Sequence, residues 1–512
     1  MGSSAKMAVA TFSSRILGLV REQAMAAMFG ASGLTDAFTV AYRIPNMLRD
    51  LFAEGAFSSA FVPIFTEARL KDPLEARRLL WSLFVLLGSI TGLISIFIIL
   101  FAPQLAHFLT TEKFLGDFQR FEITVTLIRI MGPFLLFVSL SALFMGALNS
   151  IKIFFVPALA PAFFNIVMIA CIFFLPPVLE HRGVHGIVSL GIGVLVGGFI
   201  QMLVQVPLIF KKAYGPMGPI ELINDYTKRI VHRVGIGTIG IAANQINIII
   251  TTILATGTVL GAVSWLTYAF RLFQFPVGIL SVSIAGSNLV HFSDAWKEGE
   301  HDRARDVLKS SYFLSYLTIV PALALLLALA RESVHIVFER GAFDVEDTHM
   351  TTQALYMYLA GLPSYGLYKI LAPTFFTLDR PKIPVFISVF CISMNVVFCL
   401  LTVPHFGFAA LAMGTSLSMI LNSGIQGAFI KKYLQLPYNF FMNWRIGKIW
   451  LSGILCFGVT KFLAFKFFLF GDGLLIKIGK FIMLGSIGAL VYGGSLLLMG
   501  ESQALKKVLR RS

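Results

Sequence analysis

The run WSLFVLLGSITGLISIFIILFA, residues 81–102, contains no ionisable side chain. Coiled at about 1.5 Å per residue, a stretch of that length crosses about 30 Å of hydrocarbon. A helix satisfies its own backbone hydrogen bonds where no water can. The same reading recurs along the chain. Further runs lie at 8–28, 35–64, 123–148, 154–174, 187–209, 230–255, 262–289, 312–329, 350–376, 384–403, 409–430, 449–468 and 474–499. The expectation is an all-α polytopic membrane protein of about 14 transmembrane helices. Composition agrees. Of 512 residues, 57% are hydrophobic and only 13% charged, about half the charged share of a soluble globular chain. The mean hydropathy is +0.82.

The formal net charge is +15. In a soluble protein that would suggest nucleic acid, but here the cations sit between the apolar runs, so no nucleic-acid partner is expected. One set of loops holds Arg69, Lys71, Arg77, Arg78, Lys152, Lys211, Lys212, Lys228 and Arg229. It continues through Lys297, Arg303, Arg305, Lys309, Arg380, Lys382, Lys431, Lys432, Arg445 and Lys448 to Lys506, Lys507, Arg510 and Arg511. The opposite set holds only Lys113, Arg120, Arg182, Arg331, Arg340 and Lys466. The positive-inside bias makes the first set cytoplasmic and places both termini inside. Arg15 and Arg21 interrupt the first run, so no cleavable signal peptide is expected. Cys171, Cys391, Cys399 and Cys456 all lie in apolar runs and read as small buried hydrophobes, with no metal site.

Sliding the chain by 230 positions sets Pro133 on Pro363, Ala142 on Ala372, Leu148 on Leu378, Lys152 on Lys382 and Asn165 on Asn395. A shift of 228 sets Arg43 on Arg271. Helices one to six thus repeat as seven to twelve, and an even repeat enters the membrane from the same side each time. The expected organisation is a six-helix lobe over 1–210, a pseudo-symmetric six-helix lobe over 211–432, and two extra helices with a basic tail over 433–512.

An ionisable group inside a spanning helix is costly unless paired or wetted. The first two helices nevertheless carry Arg15, Arg21, Glu22, Asp36, Arg43, Arg49, Asp50 and Glu54, and the eighth adds Arg271. Arg15 and Glu22 share a helix face, and Asp36, Arg43 and Asp50 recur every seven residues along one stripe. Such a stripe must face another helix or a wet cavity. Structurally, the arginines would be buried partners of Glu22, Asp36, Asp50 and Glu54. Functionally, they would line a cavity for an anion, because a planar guanidinium fork suits phosphate oxygens. Gly18, Gly30, Gly33, Pro45, Gly55 and Pro63 are expected to break the first two helices, and Pro276, Gly278 and Gly286 the eighth.

Three motifs carry a resemblance. They are Ser14-Arg15-Ile16-Leu17-Gly18-Leu19-Val20-Arg21-Glu22, the segment from Thr35-Asp36 through Pro45-Asn46-Met47-Leu48-Arg49 to Phe52-Ala53-Glu54-Gly55, and Arg271 followed by Phe275-Pro276-Val277-Gly278. Across nearly its whole length the chain resembles the lipid II flippase family, MurJ or MviN, of the multidrug/oligosaccharidyl-lipid/polysaccharide exporter superfamily. The resemblance implies a transporter and not an enzyme. It would translocate undecaprenyl-diphosphate-linked peptidoglycan precursor to the outer leaflet of the bacterial inner membrane by alternating access. It implies that Arg15, Arg21, Arg49, Arg271 and Asn46 bind the diphosphate head group, and that Glu22, Asp36, Arg43 and Glu54 serve as gating or structural charge. It also implies that the extra carboxyl-terminal helices form a groove for the polyprenyl tail. The implied partners are lipid II, membrane lipids and other cell-wall synthesis proteins. No cofactor is implied; membrane potential and a coupling cation both stay open as the energy source, with no site placed for the ion. Two positions depart from the family pattern: Phe270 and Gln274 stand where acidic residues are common.

A sister exporter of other polyprenyl-linked oligosaccharides is the alternative. A drug exporter should present acidic or aromatic groups in place of arginines. A polytopic enzyme would need a catalytic carboxylate in a sizeable outer loop, and the stretches at 112–120 and 339–347 are short.

Overall fold

The computed structural model describes residues 3–52, 56–437, 440 and 443–501, with side chains described except at 3–8, 51, 52, 56, 58, 59, 236–244 and 279. Glu54, assigned to gating or structural charge, lies outside the described residues, as do Gly55 and the basic tail. Among the described residues there is no β-strand. The chain forms two compact units, Met1–Ser264 with Arg340–Phe343, and Trp265–Glu339 with Asp344–Ser512.

The first unit contains α1 (Ser3–Phe29), α2 (Gly33–Phe52), α3 (Ala56–Lys71), α4 (Pro73–Leu100), α5 (Ala102–Leu109) and α6 (Glu112–Leu115). It continues with α7 (Phe118–Met131), α8 (Phe134–Ser150), α9 (Phe155–Glu180), α10 (Val188–Leu203), α11 (Val206–Lys211) and α12 (Asp225–Thr256). Helix α1 packs along α9, α9 along α10, α2 along α7, and α12 along α3 and α2. Phe57, Phe61, Phe65, Leu143 and Phe144 form a buried cluster of α3 and α8 that Leu79, Leu80 and Leu83 of α4 complete. A Cβ at Gly146 would lie 2.6 Å from Phe61 Cδ1, so only glycine lets α8 approach the Phe61 ring this closely.

Helix α13 (Ala262–Pro276) begins in the first unit and runs on into the second. The second unit adds α14 (Val282–Lys297), α15 (His301–Ala328), α16 (Ala330–Phe338), α17 (Val345–Leu359) and α18 (Leu362–Thr377). It ends with α19 (Lys382–Phe406), α20 (Ala409–Tyr433), α21 (Trp444–Phe467) and α22 (Leu474–Leu498). Helix α15 packs against α14, α18 and α21, α19 against α20, and α21 against α22.

Among the described residues, eight helical stretches are long and apolar enough to cross a membrane. Their outward faces are apolar: Leu93 is 67% exposed, Phe465 90% and Leu498 91%. Lipid is the solvent such faces suit. All four cysteines are free and buried.

Helix continuity differs from expectation in two ways. The runs 123–148 and 350–376 are each two helices, not one. The break falls at Gly132–Pro133 in the first and at Ala360–Gly361 in the second, so α8 and α18 both open beside the repeat-related Pro133 and Pro363. Proline fits a helix start because its missing N–H would be unpaired there anyway. Conversely, the expected break at Pro45 is absent, whereas the α-helical ladder is interrupted directly after Pro276. Helix α2 runs through Pro45. After Pro276 the path continues as a π-helical turn, Val277–Ser281, into α14. Its bonding reaches five residues back, from the Val282 N–H to the Val277 carbonyl.

Candidate functional site

Two arginine–carboxylate pairs, one on α1 and one on α2, are each held by an amide from another helix of the first unit. On α1, Arg21 Nη2 donates to Glu22 Oε1 at 2.5 Å and Nη1 donates to Asn165 Oδ1 at 3.1 Å. The guanidinium lies 5.7 Å from the centre of the Phe164 ring. Asn165 of α9 returns its amide to the Ser14 carbonyl at 3.2 Å. Gly18 packs beside this bridge, where a Cβ would lie 3.6 Å from Asn165 Nδ2, an ordinary contact. Arg21 is thus fixed in direction by a carboxylate and an amide, while much of its donor fork stays unused. Arg15 is exposed and has no hydrogen-bond or ion-pair partner among the described residues.

On α2, Arg49 donates to Asp50 Oδ1 from Nη2 at 2.9 Å and from Nε at 3.3 Å. Gln245 of α12 donates to the other oxygen of Asp50 at 3.1 Å. Arg43 and Asn46 are half-buried on the same helix. Asp36 does something the sequence did not indicate. Expected as a partner for arginine, it instead accepts from Gly261 N (2.7 Å), Ser264 N (2.8 Å) and Ser264 Oγ (2.6 Å). A carboxyl group there caps the start of α13, where backbone N–H groups have no partner of their own.

In the second unit Arg271 is exposed on α13. Phe270, where an acidic residue is common in the family pattern, stacks on Phe273 at 5.5 Å and meets Tyr358 at 5.3 Å. An aromatic cluster therefore occupies that place, and Gln274 beside it is half-buried. Sequence reasoning passed over Lys369 of α18, half-buried with its Nζ 5.8 Å from the centre of the Tyr365 ring. It has no carboxylate partner among the described residues. The available signal was a lone basic residue inside an apolar run. Asn165 and Gln245, which orient the arginine–carboxylate pairs, were likewise not singled out as site residues; intramembrane amides carry no charge to draw attention. No group of three or more His, Cys, Asp or Glu able to hold a metal ion occurs among the described residues.

The fold and this buried charged face define a polytopic membrane protein that carries oriented guanidinium groups in otherwise apolar helices. The comparisons sharpen that class. The family model described as "Lipid II flippase MurJ" matches residues 25–479. The lipid II flippase MurJ of Burkholderia cenocepacia is 34% identical over 426 residues, 81% of this chain and 80% of its own length. A solved lipid II flippase MurJ in an inward closed conformation superposes with a TM-score of 0.77 at 26% identity, covering 96% of this chain and 99% of that one. An inward-facing multidrug resistance MATE family transporter of the MOP superfamily shares the fold, with a TM-score of 0.66 at 12% identity, covering 82% of this chain and 94% of that one. The chain belongs to the lipid II flippase MurJ family.

Proposed function

We propose that the protein flips lipid II from the inner to the outer leaflet of the bacterial cytoplasmic membrane, with both termini inside. Its head group is large, polar and charged, and cannot cross hydrocarbon unaided. Arg15, Arg21, Arg49 and Arg271, with Asn46, take the diphosphate; Glu22, Arg43 and Glu54 serve as gating or structural charge, and Asp36 as structural charge that ties α2 to the start of α13. The supporting observation is the α1–α2 charged face, where Arg21 is steered by Glu22 and the Asn165 amide, and Arg49 by Asp50, whose other oxygen is held by the Gln245 amide. Pre-oriented donors bind an anion without the cost of ordering them first. The helices bearing these arginines are exposed to one side of the membrane and then the other in an alternating-access cycle, while the polyprenyl tail stays in lipid along the two carboxyl-terminal helices. Return of the emptied, positively charged site toward a negative interior is favoured by about 2.3 kcal/mol per charge per 100 mV. Membrane potential therefore serves as the energy source in this reading. The skew of basic loops supports the orientation.

The test is complementation of a flippase-depleted bacterium, with the leaflet of the lipid II head group measured directly. The wild-type chain should restore growth and outward head groups, and Arg15→Ala, Arg21→Ala, Arg49→Ala and Arg271→Ala should each fail at normal protein levels. Support of growth by all four variants would end the arginine reading. Rescue of a strain blocked in another polyprenyl-linked sugar, without rescue of the lipid II block, would favour the sister-exporter alternative.

A further inference from the structure

One buried cluster of titratable groups has no part in the transport scheme, and it joins α16 and α17 to α22. His335 of α16 is buried. Its Nε2 lies 2.9 Å from Lys477 Nζ of α22. Its Nδ1 lies 2.8 Å from Glu339 Oε2, at ion-pair distance but without hydrogen-bond alignment. Thr348 of α17 donates to the same Glu339 oxygen at 2.6 Å. Glu332, three residues before His335 on α16, is also buried, and its Oε2 has no hydrogen-bond partner among the described residues.

The other groups around the ring complete the account. Phe470, before α22, meets the imidazole edge-on at 5.0 Å, and Arg331 lies over the Phe470 ring at 4.6 Å. Lys477 also donates to the Phe470 carbonyl at 3.1 Å. Tyr356 of α17 lies within electrostatic reach of Glu332 and Arg331. Lys480 of α22 is paired with Asp472 at 2.6 Å.

A lysine ammonium has donors and no acceptor, so Nε2 must be the accepting nitrogen and the ring neutral, with its proton on Nδ1. A second proton would go to Nε2, where it would face the ammonium at 2.9 Å. That hydrogen bond would become a repulsion. The imidazolium would instead gain the carboxylate of Glu339 and, one turn back, that of Glu332. A single proton thus exchanges a partner on α22 for partners on the histidine's own side of the joint.

We propose that His335 is a proton-binding site, and that a proton on its Nε2 releases α22 from α16. The site spans α16, the start of α17 and the start of α22, beside Arg331 and Arg340, which belong to the set of connections poorer in Lys and Arg. It faces outward under the orientation given above, and only that assignment rests on the proposed function; the local switch does not.

The experiment is hydrogen–deuterium exchange of the full-length protein in nanodiscs, from about pH 8 to about pH 5.5, across the ordinary imidazole value of about 6.5. After correction for the intrinsic pH dependence of exchange, the hydrogen-bonded amides from Lys477 to Lys480 should exchange about tenfold faster at the acid end, or about 1.4 kcal/mol. In His335→Gln the side-chain oxygen can still accept from Lys477 but cannot titrate, so exchange should stay slow at both ends. In Lys477→Met, which lacks the donor, exchange should be fast at both ends. A flat profile in the wild type, or a pH step that persists in either variant, overturns the proposal. The readout needs no lipid II, so it stands or falls apart from the transport reading.

Discussion

Replacing Asp36 by alanine would leave three donors without an acceptor at once. The Gly261 N–H, the Ser264 N–H and the Ser264 hydroxyl all end on this carboxyl at 2.6–2.8 Å, and the residue is 1% exposed. A buried donor left without a partner costs roughly 1–3 kcal/mol. The hydroxyl can rotate toward another acceptor, so the two backbone groups set the cost, about 2–6 kcal/mol. Asp36→Asn keeps one accepting oxygen and turns the other position into a donor. It should retain the Ser264 contacts and lose the Gly261 one, at roughly 1–3 kcal/mol. Cys171 is buried in the first unit, so a thiol-reactive dye can report that unit's melting once Cys391, Cys399 and Cys456 are replaced by alanine. With about 2–4 °C per kcal/mol for a domain of roughly 150–250 residues, Asp36→Ala should lower the midpoint by more than about 5 °C. Asp36→Asn should fall between the two, and Ser264→Ala, which leaves both backbone donors satisfied, should move it least. If Asp36→Ala melts with the wild type, the carboxyl does not hold α2 to the start of α13, and the reasoning fails.

Arg21→Lys keeps the charge but loses the fork that reaches Glu22 and Asn165 together; growth of a depleted strain should fall well below wild type at equal protein level, and full complementation would show that orientation is unimportant. Lys369→Met removes a half-buried ammonium near the Tyr365 ring; the melting midpoint should hold or rise, because desolvating that charge is costly, and a clear fall would show that the ammonium stabilises the fold. The Arg445 guanidinium, hydrogen-bonded to Glu501 at 2.6 Å, holds the Glu501 carboxyl below its usual range. A carboxyl with a depressed folded value stabilises above its unfolded value, about 4.3, and loses that contribution as pH falls through the folded one. Protease resistance at the end of α22 should therefore be full near neutrality and fade in acid, whereas Glu501→Gln should be weak throughout; a variant as resistant as wild type at neutral pH would contradict this.

Much of the architecture was legible because hydrocarbon leaves the backbone few choices. A run such as 81–102 could be little other than a helix, and α4 covers it as far as Leu100, with extra turns at the start where Asp72 caps Leu74 at 2.9 Å. The prolines were harder to read. Pro133 and Pro363 sit at helix starts, Pro45 lies inside a helix and Pro276 leads into a π turn; the same residue type gives three outcomes according to what can take over the missing bond. In the site, the ionisable residues of α1 and α2 were visible as an energetic anomaly, but their partners were not. Helical spacing suggested pairs a turn or more apart, whereas Arg21 and Arg49 reach the adjacent residue because a long side chain can curl back along its own helix. Asn165, Gln245 and Ser264 arrive from more than a hundred residues away, and no local pattern encodes that.

The π turn at Val277–Ser281 has a consequence for helix rotation. It holds one residue more than an α turn, so every position after it is advanced by about 100° around the axis relative to an uninterrupted ladder. Arg271 before it and Asn288 after it are therefore indexed to different angular frames. Deleting one residue within the turn would bring the two frames into phase and swing the buried Asn288 out of its present setting. The same shift, made reversibly by moving the wide turn along the chain, would turn only the segment it passes by about 100°, while the rod on either side keeps its setting.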